Sequence, residues 1–154
     1  MVPIRRILFP TDFSEYADHA WSYVLTFAKE FAAEVYLLHV VPPPPRLTET
    51  YAVNFDPQAL LEAQRAEATA SLDRQVQAAK EAGLAAQAAI RVGVDYHEIL
   101  EYARAQAVDL IVMGTHGRTG LAHVLLGSVA EKVVRRAPCP VLTIKHPSMA
   151  ATPP

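Results

Sequence analysis

A chain of 154 residues is the size of one domain and long enough to bury a substantial core. Its composition, 51% hydrophobic against 19% charged, places it with globular proteins and away from disordered ones. A net charge of −2 removes any general electrostatic case for nucleic-acid or membrane binding, and no apolar run approaches the roughly 18 residues of a bilayer span. Asp12 arrives too early for a signal-peptide core, and the one cysteine, Cys139, excludes an intramolecular disulfide, so a cytoplasmic location is expected.

In chain order, residues 4–9 end in Ile7-Leu8-Phe9, which reads as the close of a buried first strand stopped by Pro10. Ser14 followed by Glu15 is an N-cap with a first-turn acid, and Ala17, Ala20, Trp21, Val24, Ala28 and Phe31 recur on one helical face. Val35–Val41 is rich in β-branched and aromatic residues and reads as a second strand. Four prolines, Pro42 to Pro45, and ten residues without a clean period follow; residues 42–55 are either a lid over a site or a disordered stretch. Asp56-Pro57 opens a helix to Ala82, with Gly83 as its terminator and a thin stripe of Leu61, Ala68, Leu72, Val76 and Ala79.

Residues 84–92 alternate weakly and predict a third strand at a sheet edge. Asp95 with Glu98 resembles a capping box opening a helix whose face is Ile99, Leu100, Ala103 and Ala107. Leu110–Met113 is a short buried strand, residues 128–136 a helix broken by Pro138-Cys139-Pro140, and Val141–Ile144 a fifth strand. Residues 1–146 thus form one domain, and 147–154 hold too little apolar surface to pack and are expected to be a flexible tail.

Five strands alternating with four helices define an open parallel α/β sheet covered on both faces. Ligands in such sheets bind at the carboxyl ends of the strands where strand order reverses, so the loops after strands 1 and 4 are expected to flank the site. The first of these is Pro10-Thr11-Asp12. The second holds four of the chain's six glycines, at 114, 117, 120 and 127, and runs into the helix start Ser128-Val129-Ala130-Glu131. A strand, a glycine loop and a helix N-terminus make a pocket for an anion, above all a phosphate.

At these residues the chain resembles the ATP-binding branch of the universal stress protein family, whose Gly-x2-Gly-x9-Gly-Ser pattern is met by Gly114, Gly117 and Gly127-Ser128. ILFPTDFS at the start, the strand ending His39-Val40, the run IVMGTHG and the closing PCPVLTIK are similar to that family at matching places, so the resemblance covers nearly the whole chain. It implies a five-stranded, doubly wound, Rossmann-like sheet of the adenine nucleotide alpha hydrolase type in the order 3-2-1-4-5. Asp12 would accept from ribose hydroxyls, with Pro10 and Thr11 shaping the adenosine pocket. Val40 would offer backbone groups to the adenine edge, and Met113 and Gly114 would lie beneath the nucleotide. Gly117 and Gly127 would let amides approach phosphate oxygens, and Ser128, Val129 and Ala130 would supply a hydroxyl and first-turn amides. The implied ligand is ATP, or ADP or AMP, with Mg²⁺ brought on the phosphates and no metal held by side chains. The implied assembly is a homodimer through Val141–Ile144, an edge with apolar residues on both faces.

Other readings compete at several positions. Ser128 with Glu131 is itself a capping box, and Asp12 could be a turn residue before the Ser14 cap. Arg118 either reaches a terminal phosphate with its planar fork or lies in solvent, Lys132 belongs to a solvated face, and His116 lines the pocket. His116 and His123 have no cysteine or acidic cluster at ligand spacing, which argues against zinc. His39 is expected to be buried and hydrogen-bonded, and Cys139 has no partner that would mark a nucleophile. Three functions remain open: a nucleotide-dependent regulator with an unknown downstream partner, a slow ATP hydrolase, and a dimeric interaction protein without nucleotide. The loop lacks a Walker lysine and a water-orienting carboxylate, which favours holding ATP over splitting it.

Overall fold

Strand and helix alternate throughout the computed structural model, which describes residues 2–46, 55–118 and 125–149. The elements are β1 (Arg6–Pro10), α1 (Glu15–Phe31), β2 (Glu34–Val41), α2 (Pro57–Glu81), β3 (Ala86–Val92), α3 (Asp95–Ala105), β4 (Leu110–Gly114), α4 (Ser128–Arg136) and β5 (Val141–Ile144), followed by a 3-10 turn, Pro147–Met149. All strand pairings are parallel, in the order β3-β2-β1-β4-β5. The expected fold class and strand order are therefore those observed, with β3 and β5 at the two edges.

The unbroken apolar runs of the central strands follow from helices on both faces of the sheet. Successive side chains point to opposite sides. Ile7, Phe9, Val35, Leu37 and Val112 pack with Ala17, Ala20 and Val24 of α1 and Leu72 of α2. Leu8, Leu38, Ile111 and Met113 pack on the other face with Ile99 and Ala103 of α3 and Ala130 and Val133 of α4. Ile7, Leu8 and Phe9 are fully buried, each contributing about 1.5–3 kcal/mol by removal from water.

The first two helices start on side-chain caps. Ser14 accepts from the Ala17 amide at 3.2 Å, and Asp56 Oδ1 accepts from Gln58 and Ala59 at 2.9 and 3.2 Å, with Pro57 at the first helical position. The other two do not. The N-cap of α3 is Val94, and Asp95 instead accepts from the neighbouring Tyr96 amide at 2.7 Å. The N-cap of α4 is Gly127, and among the described residues no side chain caps it. Both predicted capping boxes are corrected by one residue: Asp95 and Ser128 lie inside their helices.

Smaller departures have local causes. Pro10 belongs to β1, paired opposite Leu38, because a terminal strand position needs no donated N–H. Phe31 is exposed at the end of α1, where it stacks on Phe27, and Ala107 lies past the end of α3 at φ 47° and faces solvent. Of the proposed tail, residues 147–149 form the 3-10 turn; 150–154, like 47–54 of the proposed lid, Gly120 and His123, lie outside the described residues.

Candidate functional site

Strand order reverses between β1 and β4. Those two strands pair only at Ile7–Leu110 and Leu8–Ile111, whereas β1 and β2 stay paired to Pro10–Leu38. Beyond Leu8 the carboxyl ends of β1 and β4 part, and a cavity of about 460 Å³ opens there. That volume suits a small-molecule ligand.

All thirteen residues singled out from the sequence line this cavity: Pro10, Thr11, Asp12, Val40, Met113, Gly114, His116, Gly117, Arg118, Gly127, Ser128, Val129 and Ala130. Among the described residues, six further lining residues were assigned no ligand-facing role: Ala17, Leu38, His39, Thr115, Asp95 and Ile99. Asp95 and Ile99 had been read only as helix residues. The rule that sites gather at carboxyl ends of strands extends to the loop after β3, and that signal would have found them.

The corner at Asp12 is built by a tight turn. Phe13 has φ 61°, a left-handed conformation that costs a bulky residue about 1–2 kcal/mol. Three contacts hold it: the Phe13 amide donates to Thr11 Oγ1 at 3.1 Å, the Ser14 amide donates to Asp12 Oδ1 at 3.0 Å, and the Phe13 ring lies 4.7 Å from that of His39. Half-buried His39 donates from Nδ1 to the Thr11 carbonyl at 2.7 Å; a carbonyl only accepts, so Nδ1 carries the proton. The strained turn thereby fixes where the Asp12 carboxylate sits.

The glycine loop closes on itself and on that carboxylate. The Gly127 amide donates to the Thr115 carbonyl at 2.7 Å, and a Cβ on Gly127 would stand 3.0 Å from the same oxygen and 3.4 Å from His116 Cα. On Gly117 a Cβ would stand 2.6 Å from Asp12 Oδ2. The Arg118 amide donates to Asp12 Oδ2 at 2.9 Å and Arg118 Nε to the Asp12 carbonyl at 2.9 Å. Arg118 was expected either at a phosphate or in solvent; it is exposed at the rim of the cavity, with its Nε donating to the Asp12 backbone. His116 is buried with Nδ1 2.9 Å from Thr115 Oγ1, and its ring lies 6.0 Å from that of Tyr16.

At the far wall, α4 begins with Ser128, Val129 and Ala130. Its first-turn amides have no acceptor within the helix and, among the described residues, no capping side chain, so the partial positive charge of the terminus faces the cavity. Glu131, the expected partner of a Ser128 cap, donates its amide to the Gly127 carbonyl at 2.9 Å. Lys132 is exposed, as its expected place on a solvated face requires, and its ammonium lies 4.8 Å from the centre of the Tyr96 ring. Among the described residues no group of three or more His, Cys, Asp or Glu could hold a metal ion. Cys139 is half-buried, and burial pushes its thiol pKa up, which keeps it protonated and a poor nucleophile at neutral pH. No described helix is long and apolar enough to cross a membrane.

The fold defines an α/β domain with a cavity at its topological switch point, lined by residues of the glycine loop and by the start of α4. Residues 3–145 match the model of the universal stress protein family, and the chain belongs to that family. It is 38% identical over 143 residues to universal stress protein MJ0531 of Methanocaldococcus jannaschii, covering 93% of this chain and 83% of that one. The solved structure of protein MJ0577, described as a structure-based assignment of biochemical function, superposes with a TM-score of 0.84 at 35% identity, covering 94% and 98% of the two chains. A universal stress protein solved in complex with cAMP shares the fold at a TM-score of 0.70 and 23% identity, over 94% of this chain and 98% of that one.

Proposed function

We propose that this protein binds an adenine nucleotide, with ATP as the full-length ligand and Mg²⁺ carried on its phosphates, and acts as a nucleotide-dependent regulator. One observation carries the reading: a single cavity joins the Asp12 corner and Val40 at one end to the uncapped start of α4 at the other. Adenosine fits the first end, where a carboxylate accepts ribose hydroxyls and the Val40 backbone meets the base edge. Phosphates fit the second, where the Ser128 hydroxyl and the first-turn amides meet negative charge. That a chain of this fold holds cAMP is in keeping with the reading.

Holding is favoured over cleavage by the same residues. Hydrolysis needs a water-orienting group and a cation at the transferred phosphoryl. Asp12 is engaged by the Ser14 and Arg118 amides, and Arg118 Nε by the Asp12 carbonyl. In this reading a second copy of the chain pairs along β5, whose outer edge has no strand partner in the sheet order.

Denaturing freshly purified protein and identifying the released nucleotide by chromatography tests the ligand; an adenine nucleotide is expected. Gly117→Val places branched carbons against Asp12 Oδ2 and is expected to abolish ATP binding while the far-ultraviolet circular dichroism stays native. Undiminished affinity in that variant would refute the site. Phosphate release with Mg²⁺ is expected to stay at background; a rate that depends on Ser128 would instead favour the hydrolase.

A further inference from the structure

Asp12 and the glycine loop are joined by contacts that neither a ribose acceptor nor a phosphate cradle requires. The carboxylate takes the Arg118 amide on Oδ2 and the Ser14 amide on Oδ1, while Arg118 Nε donates to the Asp12 carbonyl. Two of these three bonds span 106 residues of sequence and tie the turn after β1 to the loop after β4. Gly117 makes this approach possible, since a Cβ there would fall 2.6 Å from Oδ2. The carboxylate cannot simply swing aside, because its other oxygen is held by Ser14. Among the described residues the one further atom within 4 Å of that Cβ would be Asp12 Cγ, so what Gly117 accommodates there is Asp12.

We propose that Asp12 is a positioning residue for the phosphate loop, and that Gly117 is glycine in order to seat against it. The inference rests on the nucleotide reading above and deepens it: the sugar and phosphate ends become one coupled unit. A ligand that orders Asp12 steadies the loop, and a ligand that orders the loop steadies Asp12, so each half of the nucleotide raises the affinity for the other. Such coupling is reciprocal by thermodynamic necessity. Asp12→Asn breaks it chemically, because an amide offers one accepting oxygen to two N–H donors and sets its NH₂ against the other. Gly117→Ala breaks it sterically from the loop side.

The test uses ligands that each lack one half: adenosine has no phosphate and inorganic triphosphate has no sugar. Calorimetric titration of the full-length protein is expected to show Asp12→Asn weakening triphosphate binding roughly tenfold, the effect of one lost hydrogen bond to a charged group. Electrostatics alone predicts the opposite sign, since removing a negative charge favours a polyanion. Gly117→Ala is expected to weaken adenosine by a similar factor although adenosine carries nothing for a phosphate loop to hold. In the ligand-free protein, exchange of the Arg118 amide hydrogen is expected to be slowed, and the protection to vanish in Asp12→Asn while core amides stay protected. That last reading decides the matter where the half-ligands bind too weakly to titrate. Unchanged or tighter triphosphate binding by Asp12→Asn, unchanged adenosine binding by Gly117→Ala, or an unprotected Arg118 amide overturns the coupling. If wild type still binds ATP, the nucleotide reading survives that result; a wild type that binds no adenine nucleotide removes both.

Discussion

The helices on the two faces of the sheet begin differently. On one face, α1 and α2 start on Ser14 and Asp56, whose side chains take up first-turn amides. On the other, α3 and α4 start on Val94 and Gly127, which offer none. The difference follows position. Asp95 of α3 and Ser128, Val129 and Ala130 of α4 line the cavity, whereas α1 reaches it only through Ala17 and α2 not at all. A cap satisfies amides within the chain and stabilises the fold; an uncapped terminus at a cavity leaves them for a ligand. On the first face the caps are local side chains; on the second, Asp95 takes the Tyr96 amide of α3, while the start of α4 faces the cavity without a side-chain cap from Gly127.

The comparison can be broken from either side. The largest effect is expected from Leu72→Ala in α2, where loss of a buried side chain costs about 2–5 kcal/mol by urea denaturation. The folded fraction should bind ATP with wild-type affinity, and a parallel loss of affinity would mean the two faces are not separable. Next come two serines that are alike in type and opposite in role. Ser14→Ala is expected to cost about 1 kcal/mol of stability as a lost cap, with nucleotide affinity kept. Ser128→Ala is expected to leave stability within about 0.5 kcal/mol but to weaken ATP binding roughly five- to tenfold. Thermal melts and calorimetry on the same samples distinguish the two patterns. The smallest effect is a gain: Val94→Ser installs the missing cap of α3 at an exposed position and should add about 0.5–1 kcal/mol. No gain would mean that the α3 amides are already satisfied by other means.

The parts of this arrangement that are local in sequence were legible there. Ser14 and Asp56-Pro57 announce their helices with the residues a cap needs, and Ile7-Leu8-Phe9 and Leu110–Met113 announce buried strands by unbroken hydrophobicity. The capping-box pattern misled at Asp95/Glu98 and Ser128/Glu131 because it describes isolated helix starts. In the folded chain each helix begins one residue earlier, on Val94 and on Gly127, the latter's backbone fixed by its bond to Thr115. The left-handed Phe13 was beyond reach for a related reason: no local preference favours it, and only Thr11, Asp12 and His39 together hold it. The residues of the glycine spacing line one cavity, and the resemblance they carry implied that Gly117 serves phosphate. What stands nearest its missing Cβ is a carboxylate from the opposite end of the chain, a contact no period or motif encodes.

In the proposed function, the uncapped start of α4 and the Asp12 corner receive one nucleotide between them. Titrating ATP with Mg²⁺ into isotope-labelled protein, and following backbone amide resonances, tests it most directly. Saturable shifts at Ser128, Val129, Ala130, Gly117 and Val40, with Gln58 and Ala59 at the capped start of α2 unmoved, are the predicted result. Resonances of α4 that stay fixed while ATP binds elsewhere, or that do not move at any ATP concentration, would contradict it.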